Sequence, residues 1–440
     1  MHKVIPNTSN NVDEVISPRF LFLSPPQTFG LTDLITSKKA KKTMVNFTHK
    51  LLLATIGLLC SLSISAYDFE VDGYRYNILS VADLTVEVVG TPIGRIETNK
   101  VLGIKTTEEI TLPSNVQYSN KSFRVTKIGK SALENADVKS VIVPEGIETI
   151  GERVFYLCEN LESITIPSTL SSVEGMAFGN CSKIKKVYIS DLASWCNISF
   201  NSYWGYDNSN PLVKANDLYL NNELIEECVI PETVTEIKGG VFAGASFHSL
   251  SIPNTVNTIG KSAFGGSGIL YLELPTSIKK IPDEAFSYCV KLQTVVLPNS
   301  ITEIGQKTFQ NCTSLKTVYL PNNLSGIGKR AFANCNAIED VYCSRTYPPQ
   351  MNDDSFGNMT YLNATLHVPQ GKGELYGSAD GWKNFLTILE DCSSAVEEIH
   401  SNRNTPTAII SLGGYVIENP QNGINIIRYS DGTTKMVIIK

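Results

Sequence analysis

Residues 292–312 read LQTVVLPNSITEIGQKTFQNC, and versions of this segment recur along the chain. Prolines equivalent to Pro298 stand at positions 231, 253, 275, 298 and 321, in steps of 22, 22, 23 and 23 residues. Eleven residues after each proline comes an aromatic residue: Phe242, Phe264, Phe286, Phe309 and Phe332. Two earlier prolines, Pro144 and Pro167, are followed in the same way by Phe155 and Phe178. A fixed period in the twenties with apolar residues at fixed offsets predicts a solenoid of short coils.

Each part of the quoted segment has a physical role in such a coil. The L-x-x-V-x-L spacing at 292–297 predicts a short strand with alternate side chains inside, and Pro298 ends it. Gly305 is expected at a sharp corner, and Phe309 is expected to fill the wide back of the coil. Strands of successive coils should pair in parallel, roughly 4.8 Å apart. One coil cannot bury its apolar side alone, so the stability must come from stacked neighbours.

One stretch interrupts the period. Phe178 and Phe242 are 64 residues apart, where three coils would take about 66 to 69. We interpret residues 191–228 as an insertion, and its DLYLNNELIEEC segment predicts a hairpin around Asn221-Asn222. The insertion holds Trp195 and Trp204, two of the three tryptophans in the chain.

The segments before the repeats indicate export. Residues 50–66 read KLLLATIGLLCSLSISA, a lysine and a short apolar run followed by small residues, which is typical of a cleaved secretory signal. A retained anchor and lipidation at Cys60 are the alternatives, although Leu59 is not the small residue that lipidation needs. Because the signal lies inside the chain, we expect translation to start at Met44, with 1–43 a mis-assigned extension and Tyr67 the first mature residue.

The predicted organisation follows from these patterns. It comprises the extension 1–43, a signal peptide 44–66, a β-rich N-terminal cap 67–124, repeats 125–343 with the insertion 191–228, a C-terminal cap 344–390, a linker 391–405 and a small β domain 406–440. The net charge is −6; residues 1–66 hold seven basic and three acidic residues, so they contribute +4 and the remainder carries −10. Without a basic surface, nucleic acid is not an expected partner.

The repeated I-P-x-x-V-x-x-I-G-x-x-A-F unit resembles the BspA-like leucine-rich repeats over about 125–343. The resemblance implies an α/β-type repeat solenoid, a right-handed leucine-rich repeat with coils of 22–23 residues, on the surface of Bacteroidetes bacteria. Some members of that family adhere to host matrix proteins or to other bacteria. The tail is similar to C-terminal sorting domains of type IX secretion, with Gly414 and Val416 in one strand motif and 423–426 in the next.

Cysteines recur three residues after the repeat phenylalanine, at Cys158, Cys181, Cys289, Cys312 and Cys335. Ala245 and Ser267 take the same place in other coils, so the position requires a small, buried side chain. We expect free thiols, with disulfides between neighbouring coils as the alternative. The chain has no C-x-x-C pair or His cluster for zinc, and no G-x-S-x-G or H-E-x-x-H motif. No cofactor, metal or enzymatic activity is therefore expected.

Two columns of strand residues should face outward. The first contains Ile142, Thr165, Tyr188, Ser251, Glu273, Val296, Tyr319 and Tyr342; the second contains Ser140, Ser163, Lys186, Ser249, Tyr271, Thr294, Thr317 and Asp340. These residue types can simply reflect strand propensity, or they can form a face that docks a ligand, since aromatics favour interfaces. The candidate ligand-binding residues are Tyr188, Tyr271, Tyr319, Tyr342, Trp195 and Trp204.

These observations favour an exported, non-enzymatic surface protein that binds an extracellular protein or matrix ligand. One alternative is a glycan-binding accessory protein of a nutrient-uptake system, which would use aromatic side chains of the insertion: Trp195, Tyr203, Trp204 and Tyr206. Another is a structural component of a surface layer. The expected location is secreted or on the outer-membrane exterior, with membrane contact only through export and attachment.

Overall fold

The structure is a computed structural model that describes residues 67–91, 107–201 and 208–392, together with the backbone of four strands between 406 and 439. The predicted extension 1–43, the signal peptide 44–66, nearly all of the linker 391–405, and Trp204 with Tyr203 and Tyr206 lie outside the described residues. Within the described part of the chain, no helix is long and apolar enough to cross a membrane.

The described part of residues 67–124, the predicted N-terminal cap, contains six β-strands, the last of which ends at Ile128. They are β1 (Phe69–Val71), β2 (Tyr74–Ser80), β3 (Thr85–Gly90), β4 (Thr107–Thr111), β5 (Asn115–Tyr118) and β6 (Lys121–Ile128). Strands β1, β2 and β3 pair antiparallel, and β3 pairs in parallel with β6. Strand β4 pairs in parallel with the first strand of the repeats. The repeat architecture therefore begins inside the predicted cap.

One strand from each coil contributes to the front of the solenoid, which we call the front face. These strands are β7 (Val138–Ile142), β9 (Ser163–Ile166), β11 (Lys186–Ile189), β13 (Asp217–Leu220), β15 (Glu227–Val229), β17 (Ser249–Ser251), β19 (Tyr271–Glu273), β21 (Thr294–Val296), β23 (Thr317–Leu320) and β25 (Asp340–Cys343). Neighbouring strands pair in parallel within three separate sheets. The first sheet contains β7, β9, β11 and β13, the second contains β15 and β17, and the third contains β19, β21, β23 and β25. The regular stacking predicted from the 22–23-residue period is confirmed.

A second column of two-residue strands runs along the side of the coils. It contains β8 (Thr149–Ile150), β10 (Ser172–Val173), β12 (Ser199–Phe200), β16 (Glu236–Ile237), β18 (Thr258–Ile259), β20 (Lys280–Ile281), β22 (Glu303–Ile304), β24 (Gly326–Ile327) and β26 (Gln350–Met351). These are the T-E-I-G segments of the repeat. Each pairs in parallel with its neighbour in the next coil within its sheet.

The back of the described repeats is built from turns and not from helices. In most coils the residues two before and two after the repeat aromatic have positive φ, as at Glu284 and Tyr288 around Phe286, both at 59°. The backbone N–H groups of these two residues and of the aromatic between them donate to the next coil; Phe286 N donates to Thr308 O at 2.9 Å. Two left-handed residues four apart prevent a helix. The fold is therefore a β-solenoid, and the expected α/β character is not seen in the repeats.

The repeat phenylalanines form a stacked column inside the solenoid. All are fully buried, and the rings from Phe242 through Phe264, Phe286 and Phe309 to Phe332 lie 5.3 to 5.6 Å apart with interplanar angles of 14° or less. This confirms the predicted inward position of the aromatic. Stacking of this kind stabilises beyond the area that the rings bury.

Gly305 has a different role from the one expected. Its φ is not in the left-handed region, but an added Cβ would lie 2.6 Å from Asp283 N and 2.7 Å from the carbonyl carbon of Pro282. Gly328 has the same relation to the preceding coil, 2.6 Å from Gln306 N. The glycine is required because neighbouring backbones approach closely at this corner.

The ladder cysteines are buried free thiols, as predicted. Each sulfur donates a hydrogen bond to a backbone carbonyl of the preceding coil; Cys312 Sγ donates to Phe286 O at 3.2 Å and Cys335 Sγ to Phe309 O at 2.9 Å. Burial raises the pKa of Cys158 and Cys289 to about 12. The thiol links successive coils, which explains why a small side chain is needed here.

The insertion forms an altered coil. It contains α1 (Leu192–Cys196), β12, α2 (Leu212–Ala215), β13 and β14 (Glu223–Leu224). Strand β13 pairs in parallel with β11, and β13 and β14 form an antiparallel hairpin. Its turn residues Asn221 and Asn222 have φ of 52° and 70°, which confirms the predicted hairpin. The hairpin ends the first sheet of the front face.

The C-terminal cap extends the front face. It contains α3 (Asn358–Asn363), β27 (Thr365–His367), α4 (Gly373–Ser378), a 3₁₀-helix (Trp382–Asn384) and β28 (Thr387–Leu389). Strands β27 and β28 add to β25 in parallel. Trp382 is fully buried, and its Nε1 donates to Pro349 O at 2.7 Å.

The tail forms a separate antiparallel sheet. Its strands are β29 (Pro406–Ser411), β30 (Val416–Ile417), β31 (Gly423–Tyr429) and β32 (Thr434–Ile439), in the order β30-β29-β31-β32. All four strands lie within residues 406–440, the range for which the sequence predicts a small β domain.

Candidate functional site

The third sheet of the front face carries a continuous row of outward side chains, which we call the tyrosine row. Parallel register places Val296 beside Tyr319, Tyr319 beside Tyr342, Tyr342 beside His367 and His367 beside Leu389. Strands in one sheet lie roughly 4.8 Å apart, so these side chains form a single file. Val296 and Leu389 at its two ends are each 45% exposed.

The three rings of the tyrosine row stack on one another. The ring centroids of Tyr319 and Tyr342 are 4.9 Å apart at 10°, and those of Tyr342 and His367 are 4.3 Å apart at 14°. The ring faces therefore cover each other, and the edges and phenol oxygens are what the stack presents to solvent. A pre-stacked array of this kind loses little side-chain entropy on binding.

His367 is held between two carboxylates at the end of the stack. Its Nδ1 lies 2.7 Å from Asp391 Oδ1, and its Nε2 lies 3.0 Å from Asp340 Oδ1. A doubly protonated imidazole donates to both oxygens, whereas a neutral one donates to only one. The His367 side chain is 10% exposed, while those of Asp340 and Asp391 are 36% and 55% exposed. The clamp orients the ring on which Tyr342 stacks and leaves acidic oxygens at the surface.

The environment raises the pKa of both phenols. Burial, followed by the negative charge of Asp340, raises the pKa of Tyr342 to about 12. The same two causes raise the pKa of Tyr319. Tyrosine is already a hydrogen-bond donor at physiological pH, and the higher pKa extends that state further into the alkaline range.

Two other predicted tyrosines lie outside this row. Tyr271 is on the same sheet, in the adjacent column with Thr294, Thr317 and Asp340. Tyr188 is on the first sheet, where its ring lies 4.9 Å from that of Tyr219 at 36°. Tyr271, Tyr319 and Tyr342 therefore lie on one sheet, but among the described residues ring contact is seen only between Tyr319 and Tyr342.

Most of the predicted outward positions are exposed or half-buried, as the register requires. Ser249 is an exception because it is only 2% exposed. His367 stacks on Tyr342 in the tyrosine row, and Tyr219 lies against Tyr188 on the first sheet. Neither His367 nor Tyr219 was among the predicted residues. Each lies where the repeat consensus fails, in the cap and the insertion. The sequence signal that could have identified them is a strand-like segment with a ring at an outward position, ATLHVPQ for His367 and DLYL for Tyr219.

Trp195, one of the candidate ligand-binding residues, is buried in the structure. Helix α1 is capped by Asp191, whose Oδ1 accepts from Ala193 N at 2.7 Å and from Ser194 N at 3.0 Å. On this helix Trp195 is 1% exposed, and its ring lies 5.6 Å from that of Phe200. Trp204 lies outside the described residues. Among the residues that are described, no group of three His, Cys, Asp or Glu side chains is placed to hold a metal ion.

Comparison with models of known protein families shows the family of this chain. A family model of the BspA type leucine rich repeat region matches in six copies, with matched ranges 88–211, 126–244 and 214–339. The chain belongs to the BspA-type leucine-rich repeat family. Both this match and the pairing of strand β4 with β7 extend the repeats to the N-terminal side of residue 125. No curated protein matches this BspA-type chain.

Several solved structures resemble this BspA-type protein. A leucine rich cell surface protein from Faecalibacterium prausnitzii is 18% identical over 76% of this chain and 98% of its own, with a TM-score of 0.39. The pneumococcal vaccine antigen PcpA is 15% identical over 73% and 98%, with a TM-score of 0.37. A leucine-rich repeat protein from Bacteroides ovatus is 19% identical over 70% and 96%, with a TM-score of 0.27.

Proposed function

We propose that this BspA-type protein is an exported, non-enzymatic protein of the bacterial cell surface whose front face binds an extracellular protein. The observation that carries the proposal is the tyrosine row, Val296 to Leu389, in register on one sheet. Aromatic side chains are enriched in the core of protein interfaces, and polar groups such as carboxylates belong to the rim.

The ring arrangement favours a protein over a sugar on this face. A sugar ring packs on an open aromatic face, but the stacked rings of Tyr319, Tyr342 and His367 turn their faces towards one another. Phenol oxygens, ring edges and the carboxylates of Asp340 and Asp391 suit a surface that is itself polar and partly basic. The insertion offers less support for the glycan-accessory alternative, because Trp195 is buried.

Export by the signal at 44–66 and attachment through the tail at 406–440 belong to the same proposal. The support for the first is the apolar run with small residues after it, and for the second the motif similarity around Gly414 and Gly423. N-terminal sequencing of protein recovered from the cell surface tests the export step, with a start at or near Tyr67 expected. Recovery of a chain that retains residues 1–43 would contradict it.

The binding test compares two aromatic pairs on the same solenoid. We would screen the protein against host matrix proteins and then measure the affinity of Tyr319→Ala/Tyr342→Ala for whichever protein binds. Loss of hot-spot aromatics should cost at least about 2 kcal/mol of binding free energy. The matched control is Tyr188→Ala/Tyr219→Ala, a tilted pair on the first sheet. Equal losses in both variants, or no loss in the first, would contradict the placement; Trp204→Ala tests the insertion separately.

A further inference from the structure

The C-terminal end of the solenoid exposes apolar side chains at an unusual density. In the described part of the chain fourteen large hydrophobic side chains are exposed, and five of them fall between residues 359 and 389: Met359, Leu362, Leu375, Leu386 and Leu389. The terminal unit of a solenoid needs a polar outer face to stay soluble, because an exposed apolar patch causes association. The density of apolar side chains therefore indicates that another surface covers this end.

Three of these side chains lie close together. Met359 and Leu362 are three residues apart on α3, hence on one face of the helix, and they are 47% and 53% exposed. Leu386 N donates to Tyr361 O at 3.0 Å, which places Leu386, 71% exposed, beside the same helix. We call Met359, Leu362 and Leu386 the end patch. Directly after Leu386 comes β28, the last strand of its sheet, which pairs with β27 and has no described strand on its other edge.

The tail sheet lacks a covering layer over one of its faces. Its register pairs Ile426 with Ile410 on one side and with Met436 on the other. Paired residues of neighbouring strands, and residues two apart along a strand, lie on the same face of a sheet. One face of the tail therefore carries six apolar residues, with Arg428 and Thr434 at its margin: Val416, Ile410, Ile424, Ile426, Met436 and Ile438.

Such a face needs a second layer of structure. A single sheet with one apolar face is stable only when another element packs on it. Among the described residues the four tail strands pair only with one another. The same chain thus has two apolar surfaces without a cover, the end patch and the apolar face of the tail.

We propose that the tail sheet packs its apolar face on the end patch of its own chain. The chain leaves the solenoid at this end, because Cys392, just after β28, still donates from its N–H to Val368 O at 3.0 Å. Thirteen residues, 393–405, then lead to β29, a span of about 45 Å when fully extended.

The short connection favours the tail over a second copy of the protein. A tether of this length holds the tail at a roughly millimolar effective concentration around the end patch. A second molecule at micromolar concentration competes poorly with it. The docked tail closes the last coil and fixes the orientation of the solenoid relative to the tail. This inference does not rest on ligand binding by the tyrosine row.

Reciprocal substitutions in the full chain, followed by amide hydrogen exchange, test the contact. Ile426→Asp puts a charge on the apolar face of the tail, and we expect exchange in α3 and in residues 386–389 to rise roughly tenfold or more, because a buried charge opens the contact. Ile427→Asp is the matched control: it makes the same change one residue further along β31, on the opposite face of the sheet, and should leave exchange at the end patch as it is.

The second variant changes the solenoid side. Leu386 is 71% exposed, so Leu386→Asp should keep the solenoid folded, and exchange in β31 and β32 should rise by a similar factor. Leu79→Asp is its control, since Leu79 is also exposed, at 47%, but lies in the N-terminal cap. It should not change exchange in the tail.

Three results would overturn the proposal. Unchanged exchange at residues 386–389 in Ile426→Asp would show that this face of the tail does not cover the end patch. Unchanged exchange of the tail in Leu386→Asp would show the same from the other side. Protection of residues 386–389 that increases with protein concentration, together with a dimer in sedimentation equilibrium, would assign the end patch to a second copy.

Discussion

Phe286→Ala tests the packing that holds the solenoid together. Phe286 is fully buried, and its ring stacks on Phe264 at 5.4 Å and 2° and on Phe309 at 5.6 Å and 9°. Deletion of a buried aromatic costs about 3–5 kcal/mol. Two stacked contacts are lost together, each worth about 0.5–1.5 kcal/mol beyond buried area. We therefore expect a loss in the upper half of that range, about 4–5 kcal/mol.

Urea denaturation followed by circular dichroism measures the loss of unfolding free energy, and hydrogen exchange locates it. Stability in a solenoid comes from contacts between adjacent coils. Exchange should therefore accelerate in the coils of Phe264 and Phe309 and stay unchanged around Phe155, which stacks on Phe178 in the first part of the solenoid. Phe286→Leu, which keeps an apolar side chain and loses the stacking, should cost less. An unchanged urea midpoint for Phe286→Ala would refute the ring column as a source of stability.

Two further predictions concern the contacts between coils. Gly305→Ala should destabilise the protein by roughly 1–3 kcal/mol, the cost of overpacking, because its Cβ would lie 2.6 Å from Asp283 N. Gly175→Ala is the control, since an added Cβ there has no atom within 4 Å among the described residues, and equal urea midpoints for the two variants would contradict the close-approach argument. The buried thiols should make the stability of the protein sensitive to alkali. Burial raises the pKa of the Cys289 thiol from 9.0 to about 12. The contribution of this thiol to the free energy of unfolding is therefore complete below pH 9 and declines as the pH rises towards 12. A urea midpoint measured from pH 8 to 11 should fall less steeply in Cys289→Ala, and identical slopes would show that this thiol does not contribute.

The parts of the fold that repeat could be read from the sequence. Every coil makes the same contacts with its neighbours, so a spatial period of one coil appears in the chain as a period of 22 or 23 residues. That period predicted the inward position of Phe286, the buried thiol of Cys312 and the outward file of Val296, Tyr319 and Tyr342. The hairpin at 221–222 was equally local, because two consecutive asparagines tolerate positive φ.

What the sequence could not determine depends on contacts between distant residues. The left-handed residues at the back include Arg153, Glu284 and Lys307, which have no preference for that conformation, and inter-coil hydrogen bonds impose it. Gly305 is needed for the approach of another coil, which no local pattern reveals.

The composition of the candidate sites was likewise a tertiary result. His367 completes the tyrosine row only because β27 continues the sheet beyond the last repeat, and Asp340 and Asp391 reach it from 27 and 24 residues away in the chain. Trp195 is buried because its helix packs over the core. The sequence by itself determined the repeating unit, since that unit is short and is repeated many times along the chain. The tertiary structure decided which side chains meet at its surface, since those contacts join residues that share no period.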